Sequence, residues 1–520
     1  MFKLIFLFSR FIHKYLGLIA LVYFLGMGVS GILLNHPTLL QGFSLPLGWM
    51  PDSYQFRNWN RWSLRDAAFS KQQPEKIYVA GKDGVWMSRN AGRNFTPMSS
   101  GLPASAYLRD TNCLLLVENH NPIRLYAGTR NGLYYCSPDL ARWQAVQNPE
   151  LQKTEIIDLL KTDQEIFVFT KTDCFVAPLS EQSPVFGARE LKTPPGFKPR
   201  APFFRFMLKL HDGSLFGLTG RMVADIVGLI LIFLSLSAFY LWYVPWRRRQ
   251  TRGYRRNRPR YYKFFYRYHL KLGIYASFFL ILIALTGMFL RPPLLIAIVR
   301  IQTPKLLQPA NPTAKNQLGR IHQAAWLKSN NKLYLTTQNG IFYGPPDGSK
   351  PFSAIKNRLP IHGMGATVFE PLADNSLLIG SFSGLFKWQP ETGKVTNLTA
   401  DKSPRRRRFG GAMVAAAGVD NGTPRFWCDY RRGLQPLPGK IPTLTEIQAG
   451  KLTSSLTMPK KISKKSRISL WHLLFEFHNG RIFRNLLGRY TWLLIPLGGL
   501  ALLITVISGT YDWFYRRKSH

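Results

Sequence analysis

Acidic residues are scarce: 27 Asp and Glu stand against 69 Lys and Arg, giving a net charge of +42. Such an excess needs a partner, and anionic lipid beside the apolar runs is the first to consider. No recognised nucleic-acid motif accompanies the charge, so nucleic acid is not expected as a partner. Cysteine is also sparse. Cys113, Cys136, Cys174 and Cys428 form no C-x-x-C pair, which excludes a zinc ribbon and a thioredoxin-like site. Three of the four fall in one long segment, where a single disulfide is permitted and spacing leaves the pairing open. No G-x-G-x-x-G opens a helix after a strand, so no dinucleotide domain is expected. The first apolar run lacks a small-x-small cleavage site; it ends in Leu-Leu-Asn-His-Pro and does not read as a signal peptide.

Long apolar runs are what the chain has instead. A span takes about 20 helical residues, and four runs suffice: Tyr15–His36, Met222–Val244, Leu272–Ile298 and Thr491–Tyr511. Lys3, Arg10 and Lys14 flank the first; WRRRQTRGYRRNRPRYYKFFYRYHLK joins the second and third; the chain ends YRRKSH. These short basic segments belong on the cytoplasmic side, which puts both termini inside and both long segments outside. The expectation is a multi-pass protein of a bacterial inner membrane.

The two halves repeat. RFIHKYLGLIALVYFLGMGVSGILLNHP aligns with YRYHLKLGIYASFFLILIALTGMFLRPP, matching His13 to His269, Gly17 to Gly273, Gly31 to Gly287 and Pro37 to Pro293, always 256 residues apart. KIYVAGKDGVW from Lys76 and KLYLTTQNGIF from Lys332 keep the same spacing. LKLHDGSLFGLTGR around His211 resembles FEFHNGRIFRNLLGR around His478, and both lead through Ser-x-x-Tyr-x-Trp (Trp242, Trp513) into basic ends. Each half carries two spans, so both insert the same way and are related by an axis along the membrane normal.

The long segments hold hairpin signals, alternating aromatic or β-branched residues around a turn dipeptide. IYVAGKDGVWMS, LYAGTRNGLYYC, LYLTTQNGIFYG and LLIGSFSGLFKW are strong; EIFVFTKTDCFVAP and RFWCDYRRGLQPLP are weaker. SRNAGRNF and SPDLARW resemble degenerate Asp-boxes, a turn motif that recurs in propellers. The fold expected is a four-transmembrane-helix bundle of two parallel repeats plus a β-rich, propeller-like periplasmic domain built from two segments, with two small β-domains side by side as the alternative. Its parts are residues 1–36 (first span), 37–202 (outer segment), 203–246 (interfacial stretch and second span), 247–268 (basic loop), 269–298 (third span), 299–468 (second outer segment) and 469–520 (interfacial stretch, fourth span and tail).

Four of the ten histidines form matched pairs at span ends: His13 with His269, and His211 with His478. Imidazoles brought together across a two-fold axis would reach opposite faces of a planar macrocycle, and imidazole suits iron. Gly17 and Gly273, one turn on, leave room for close helix approach or for a porphyrin. A histidine in the headgroup region is the bland alternative, and it suits His36 and His472. Asp225 lies near the outer start of the second span, where it is either a functional acid or a solvated one. Arg405–Arg408 reads as a solvated turn or as a site for an anionic ligand.

Arg-x-x-His-x-x-x-Gly opening the first span, Ser-Gly or Thr-Gly near its far end, His-x-Gly before the next span and Trp followed by arginines after it resemble the PepSY-associated transmembrane helix proteins. These include iron-regulated inner-membrane proteins and siderophore-iron reductases. The resemblance implies a di-haem b protein that moves electrons outward, with His13, His211, His269 and His478 as ligands. It covers the spans and their flanks; the outer segments read as hairpins and Asp-boxes and not as a PepSY domain. The leading expectation is therefore electron transfer to a periplasmic acceptor, with a ferric (siderophore) complex as substrate and with membrane quinol or a separate protein as donor. A membrane-anchored binding or assembly module acting through the β-domain is the alternative. Transport along the axis is disfavoured, because the spans hold almost no charge besides Asp225 and the histidines.

Overall fold

The computed structural model describes residues 2–518 apart from 41, 119–122, 138–141, 180–183, 198, 200, 251–259, 300, 308–317, 358, 400–411 and 436–455. The chain divides into two units: Met1–Phe43, Arg200–Ala310 and Ser469–His520 form the first, and Ser44–Pro199 with Asn311–Ile468 the second. The Arg405–Arg408 run and most of the SPDLARW trace lie outside the described residues.

The first unit is helical. Two helices are long and apolar enough to cross a membrane, Ser214–Gln250 and Arg481–Arg516, and two bent pairs bring the count to four if each pair is one span. We label the regular helices α1 (Phe2–Ile19), α2 (Leu21–Asn35), α3 (Phe203–His211), α4 (Gly217–Gln250), α5 (Arg260–Tyr275), α6 (Ser277–Phe289), α7 (Leu470–His478) and α8 (Leu494–Lys518). The expected first and third spans each fall on a bent pair. Neither is one straight helix: α1 meets α2, and α5 meets α6, at the same angle of 62°. The breaks fall at Ala20 (φ −85°, ψ 0°) and Ala276 (φ −89°, ψ −4°), both in the sparsely used bridge region between helix and strand. The third run also stops early, at Phe289, before Arg291-Pro-Pro and the short helix Leu294–Ile298.

Packing obeys the repeat. α2 lies on α4 as α6 lies on α8, and α1 lies on α8 as α5 lies on α4. Phe24, Leu231, Leu280 and Leu502 meet in the apolar centre. Both amphipathic helices before the long spans, α3 and α7, end in a left-handed glycine, Gly213 (φ +77°) and Gly480 (φ +73°). A side chain at 213 would strike the carbonyl of Gly220, so the chain turns there only because glycine occupies the site.

Among the described residues, six antiparallel sheets of three or four strands build most of the second unit, covering residues 64–98, 111–145, 156–189, 321–354, 368–397 and 414–435. The first five have four strands and the last three. Every hairpin read from the sequence, the two weaker ones included, supplies two neighbouring strands of one sheet. Five apolar clusters join each sheet to the next, beginning with Tyr78, Val85 and Met87 against Leu114, Leu125 and Tyr134. The sixth sheet in turn meets the first: Leu434 N–H donates to the Asn58 carbonyl at 2.7 Å, and Phe69 faces Phe426. In SRNAGRNF the Ser88 hydroxyl accepts from Gly92 N–H at 2.9 Å and Asn90 Oδ1 accepts from Asn94 N–H at 2.9 Å, the turn-closing role expected of an Asp-box. All four cysteines are free and buried; the permitted disulfide is not formed.

Candidate functional site

The four matched histidines form two facing pairs. His13 on α1 and His269 on α5 have ring centroids 6.3 Å apart at an interplanar angle of 79°. His211, the last residue of α3, and His478, the last residue of α7, are 6.2 Å apart at 59°.

Each ring is held by its Nδ1. His478 Nδ1 lies 2.8 Å from Ser30 Oγ and His211 Nδ1 3.0 Å from Thr286 Oγ1. His269 Nδ1 lies 2.8 Å from Ser237 Oγ, and His13 Nδ1 2.8 Å from the Thr505 carbonyl. The hydrogen-bond network assigns the tautomer. A carbonyl only accepts, so His13 must donate from Nδ1. The three hydroxyl hydrogens are already engaged within their own helices: Ser30 donates to Gly26 O at 2.6 Å, Thr286 to Leu282 O at 2.7 Å and Ser237 to Leu234 O at 3.1 Å. Those hydroxyls therefore accept from Nδ1–H as well. All four imidazoles are left with the lone pair on Nε2, the form a metal binds, held by a fixed outer partner.

Glycines make space for two of the rings. A Cβ at Gly509 would come within 2.6 Å of His13 Cε1 and one at Gly287 within 3.0 Å of His211 Cε1, whereas one at Gly31 would meet His478 Cε1 at an ordinary contact distance of 3.5 Å. Gly17 and Gly273 differ, since a Cβ there would meet only Thr505 and Leu234 side chains at 3.6 and 3.9 Å. The close helix approach considered for those two is not what they serve.

Spacing offers a test of fit for an iron between each pair. With a metal–nitrogen bond of about 2.1 Å and about 1.1 Å from nitrogen to ring centre, two imidazoles on opposite sides of one metal hold their centroids roughly 6.4 Å apart. The observed separations match that span. Among the described residues no group of three or more His, Cys, Asp or Glu converges on one point, so the donor sets are two-histidine sets.

The remaining candidates are placed otherwise. His36 Nε2 is 2.8 Å from Asp225 Oδ2, and Asn35 Nδ2 donates to Asp225 Oδ1 at 3.0 Å; the histidine read as interfacial and the acid read as functional or solvated are partners. His472 lies 3.6 Å from Glu476, which Arg481 pairs at 2.7 Å. Ser237, Thr505 and Gly509 were not predicted as site residues. Ser30-Gly31 and Thr286-Gly287 were visible as dipeptides, 256 residues apart, without their role.

The family model described as "PepSY-associated TM region" matches residues 10–516. No curated protein matches the chain. Among solved structures, the extracellular domain of the putative one component system BT4673 from B. thetaiotaomicron is similar at 12% identity and TM-score 0.36, over 72% of this chain and 32% of that one. Virginiamycin B lyase from Staphylococcus aureus is similar at 8% identity and TM-score 0.34, over 75% and 82%. YCF48 from Cyanidioschyzon merolae is similar at 10% and 0.33, over 73% and 96%. The chain spans about a third of the length of the first of these.

Proposed function

The chain belongs to the PepSY-associated TM region family, and on that premise we propose that it is a di-haem b protein of a bacterial inner membrane that carries electrons outward to a periplasmic acceptor, a ferric (siderophore) complex. His13 with His269 would hold one haem b, and His211 with His478 the second. A bound haem supplies one-electron chemistry whose potential its axial ligands and their hydrogen bonds tune.

The chain's own residues do the rest. Ser30, Thr286, Ser237 and the Thr505 carbonyl hold Nδ1 of each ring in one tautomer and leave Nε2 as the nitrogen that would bind a metal. Gly287 and Gly509 leave His211 and His13 room to sit against the neighbouring helix. Along the bent α5–α6 path, 17 residues separate His269 from Thr286, the partner of His211; at 1.5 Å per residue and with the bend, the two sites stand roughly 20 Å apart. In this reading they lie at opposite ends of the bundle, His13 and His269 on the cytoplasmic side. Both termini are cytoplasmic, the donor is membrane quinol or a separate protein, and the six sheets form a six-bladed propeller on the periplasmic side.

One observation carries the reading: four histidines from two gene-scale repeats, in two pairs, each at the spacing of a shared metal and each with Nδ1 occupied. The experiment is a visible spectrum of the detergent-purified chain, oxidised against dithionite-reduced, with haem content per chain. Two haems are expected, falling to one in His13→Ala and to one in His478→Ala. A chain without haem absorbance after expression with haem supply would sink the proposal and leave the binding-module reading.

A further inference from the structure

In the second unit the residue that follows the second strand of each sheet is, in order, Lys82, Arg130, Lys171, Gln338, Phe382 and Tyr430. The position is equivalent from sheet to sheet. In four of the six its N–H donates to the residue just before the first strand: Lys82 to Ser63 O at 3.2 Å, Arg130 to Asp110 O at 3.1 Å, Gln338 to Arg320 O at 2.8 Å and Tyr430 to Met413 O at 2.6 Å. From there the first strands run on to line a cavity of about 250 Å³, with Trp62, Arg65 and Glu155 on its wall. Three consecutive turns therefore carry cations beside this cavity, and two carry aromatic rings.

On the cationic side four charges share two carboxylates. Lys82 pairs with Asp110 Oδ2, and Arg130 and Arg65 lie 3.4 and 3.7 Å from the same oxygen. Arg130 Nε is buried without a hydrogen-bond partner among the described residues. Lys171 is 2.5 Å from Glu155. Tying neighbouring sheets together accounts for one cation per carboxylate and leaves two over. The side chains of Lys82, Arg130 and Lys171 keep 29%, 24% and 44% of their surface exposed, so a solute can reach them. Burial, with Arg130 and Arg65 close by, pushes Lys82 down to about 8. Crowded cations of this kind are costly to hold without an anion.

On the aromatic side Trp62 stacks on Phe382 at 5.5 Å and 20°, and Tyr430 meets the two rings at 4.9 and 5.4 Å. All three are partly exposed. Among the described residues they stand outside the apolar clusters that join the sheets. Trp62 also holds a left-handed backbone, φ +58°, which a bulky residue keeps only under constraint. Core packing therefore does not explain these rings.

We propose that the mouth of this cavity binds a small anion built on an aromatic ring, its charged oxygens on Arg65, Lys82, Arg130 and Lys171 and its ring against Trp62, Phe382 and Tyr430. Charge-assisted hydrogen bonds hold the oxygens, and ring stacking selects an aryl anion over an aliphatic one. Asp66, Asp158 and Glu370, each the third residue of its first strand, line the cavity behind the mouth. These acids disfavour an anion inside, so the ligand rests at the entrance. The same chemistry comes from two sources, a free aryl acid or a metal chelate of such acids. Making a ferric chelate of this kind the electron acceptor rests on the reading above; binding at the mouth rests on the second unit alone.

The test is calorimetric titration of the full-length, detergent-purified chain with 2,3-dihydroxybenzoate and with its redox-inert gallium(III) tris chelate. Saturable binding is expected, at least tenfold weaker for cyclohexanecarboxylate and at least fivefold weaker in Lys171→Gln and in Phe382→Ala. A chelate that binds at least tenfold tighter than the free acid identifies the chelate as the ligand; equal or tighter binding of the free acid identifies the acid. Lys171→Gln changes an exposed side chain and keeps the variant arm decisive even should Phe382→Ala not fold, which the melting temperature reports. No saturable binding of either probe, equal affinity for cyclohexanecarboxylate, or unchanged affinity in either folded variant would overturn the proposal. Haem content is read on the same preparation. Binding by a chain without haem upholds the anion site and sinks the electron-transfer reading, and haem without binding does the reverse.

Discussion

Ser30 and Thr286 stand 256 residues apart and do one job: each spends its own hydrogen on a carbonyl of its helix and accepts Nδ1–H from a histidine that the other half supplies, His478 and His211. Outer partners of this kind are worth about 10–100-fold in metal affinity. Ser30→Ala and Thr286→Ala are expected to loosen haem at the His211–His478 pair and leave the His13–His269 pair loaded. Haem per chain after dilution, read beside the spectrum, checks this; equal loss at both pairs would contradict it.

The glycines sort by what a side chain would meet. Gly509→Ala puts a methyl 2.6 Å from His13 Cε1, inside any real contact, whereas Gly17→Ala meets Thr505 at 3.6 Å. Gly509→Ala should cost the chain one haem, and Gly17→Ala none. Both positions are helical, so Ala itself is favourable by roughly 1 kcal/mol over Gly, and neither variant should lower the helix content measured by circular dichroism.

Stability of the β-rich unit should fall as pH rises from about 4 to 8. Burial raises Asp158 from 3.8 to about 8 and Asp66 to about 6. Between the unfolded and folded values the native state holds protons that the unfolded chain has released, so unfolding becomes easier with each step up in pH. One such proton corresponds to about 1.4 kcal/mol per pH unit. A melting temperature that declines over that window in the wild type and declines less in Asp158→Asn is expected; a flat profile in both would show that these acids are ionised in the native state.

The repeat and the hairpins were legible because they rest on local pattern: a 256-residue echo and alternating residues around turn dipeptides. The bends at Ala20 and Ala276 were not. Hydropathy runs unbroken through both positions, no proline marks them, and the glycines three residues before each, Gly17 and Gly273, lie inside the helices; the matching backbone angles reveal the break. The histidine pairs could be named because two copies pointed at one axis. Their hydroxyl partners were hidden, since a serine inside an apolar run reads equally as a small packing residue. His36 and Asp225 were each weighed alone, and 189 residues of sequence gave no sign that they pair at 2.8 Å. Asp66, Asp158 and Glu370 look like ordinary polar alternations in strands, and only the arrangement of the sheets turns them toward one space.

Thiol labelling decides which face of the membrane holds the β-rich unit. All four native cysteines are buried, and burial pushes the Cys136 thiol up to about 12 and raises the other three thiols as well. A buried thiol with little thiolate reacts slowly, so the wild type is a silent background for a membrane-impermeant maleimide. Met364 in the second unit and Arg260 at the start of α5 are both exposed, which makes Met364→Cys and Arg260→Cys good reporters. The proposed orientation expects Met364→Cys to label in intact spheroplasts and Arg260→Cys only after the membrane is opened. The reverse pattern would put the β-rich unit in the cytoplasm and remove the outward direction from the electron-transfer proposal, while leaving the geometry of the histidine pairs untouched.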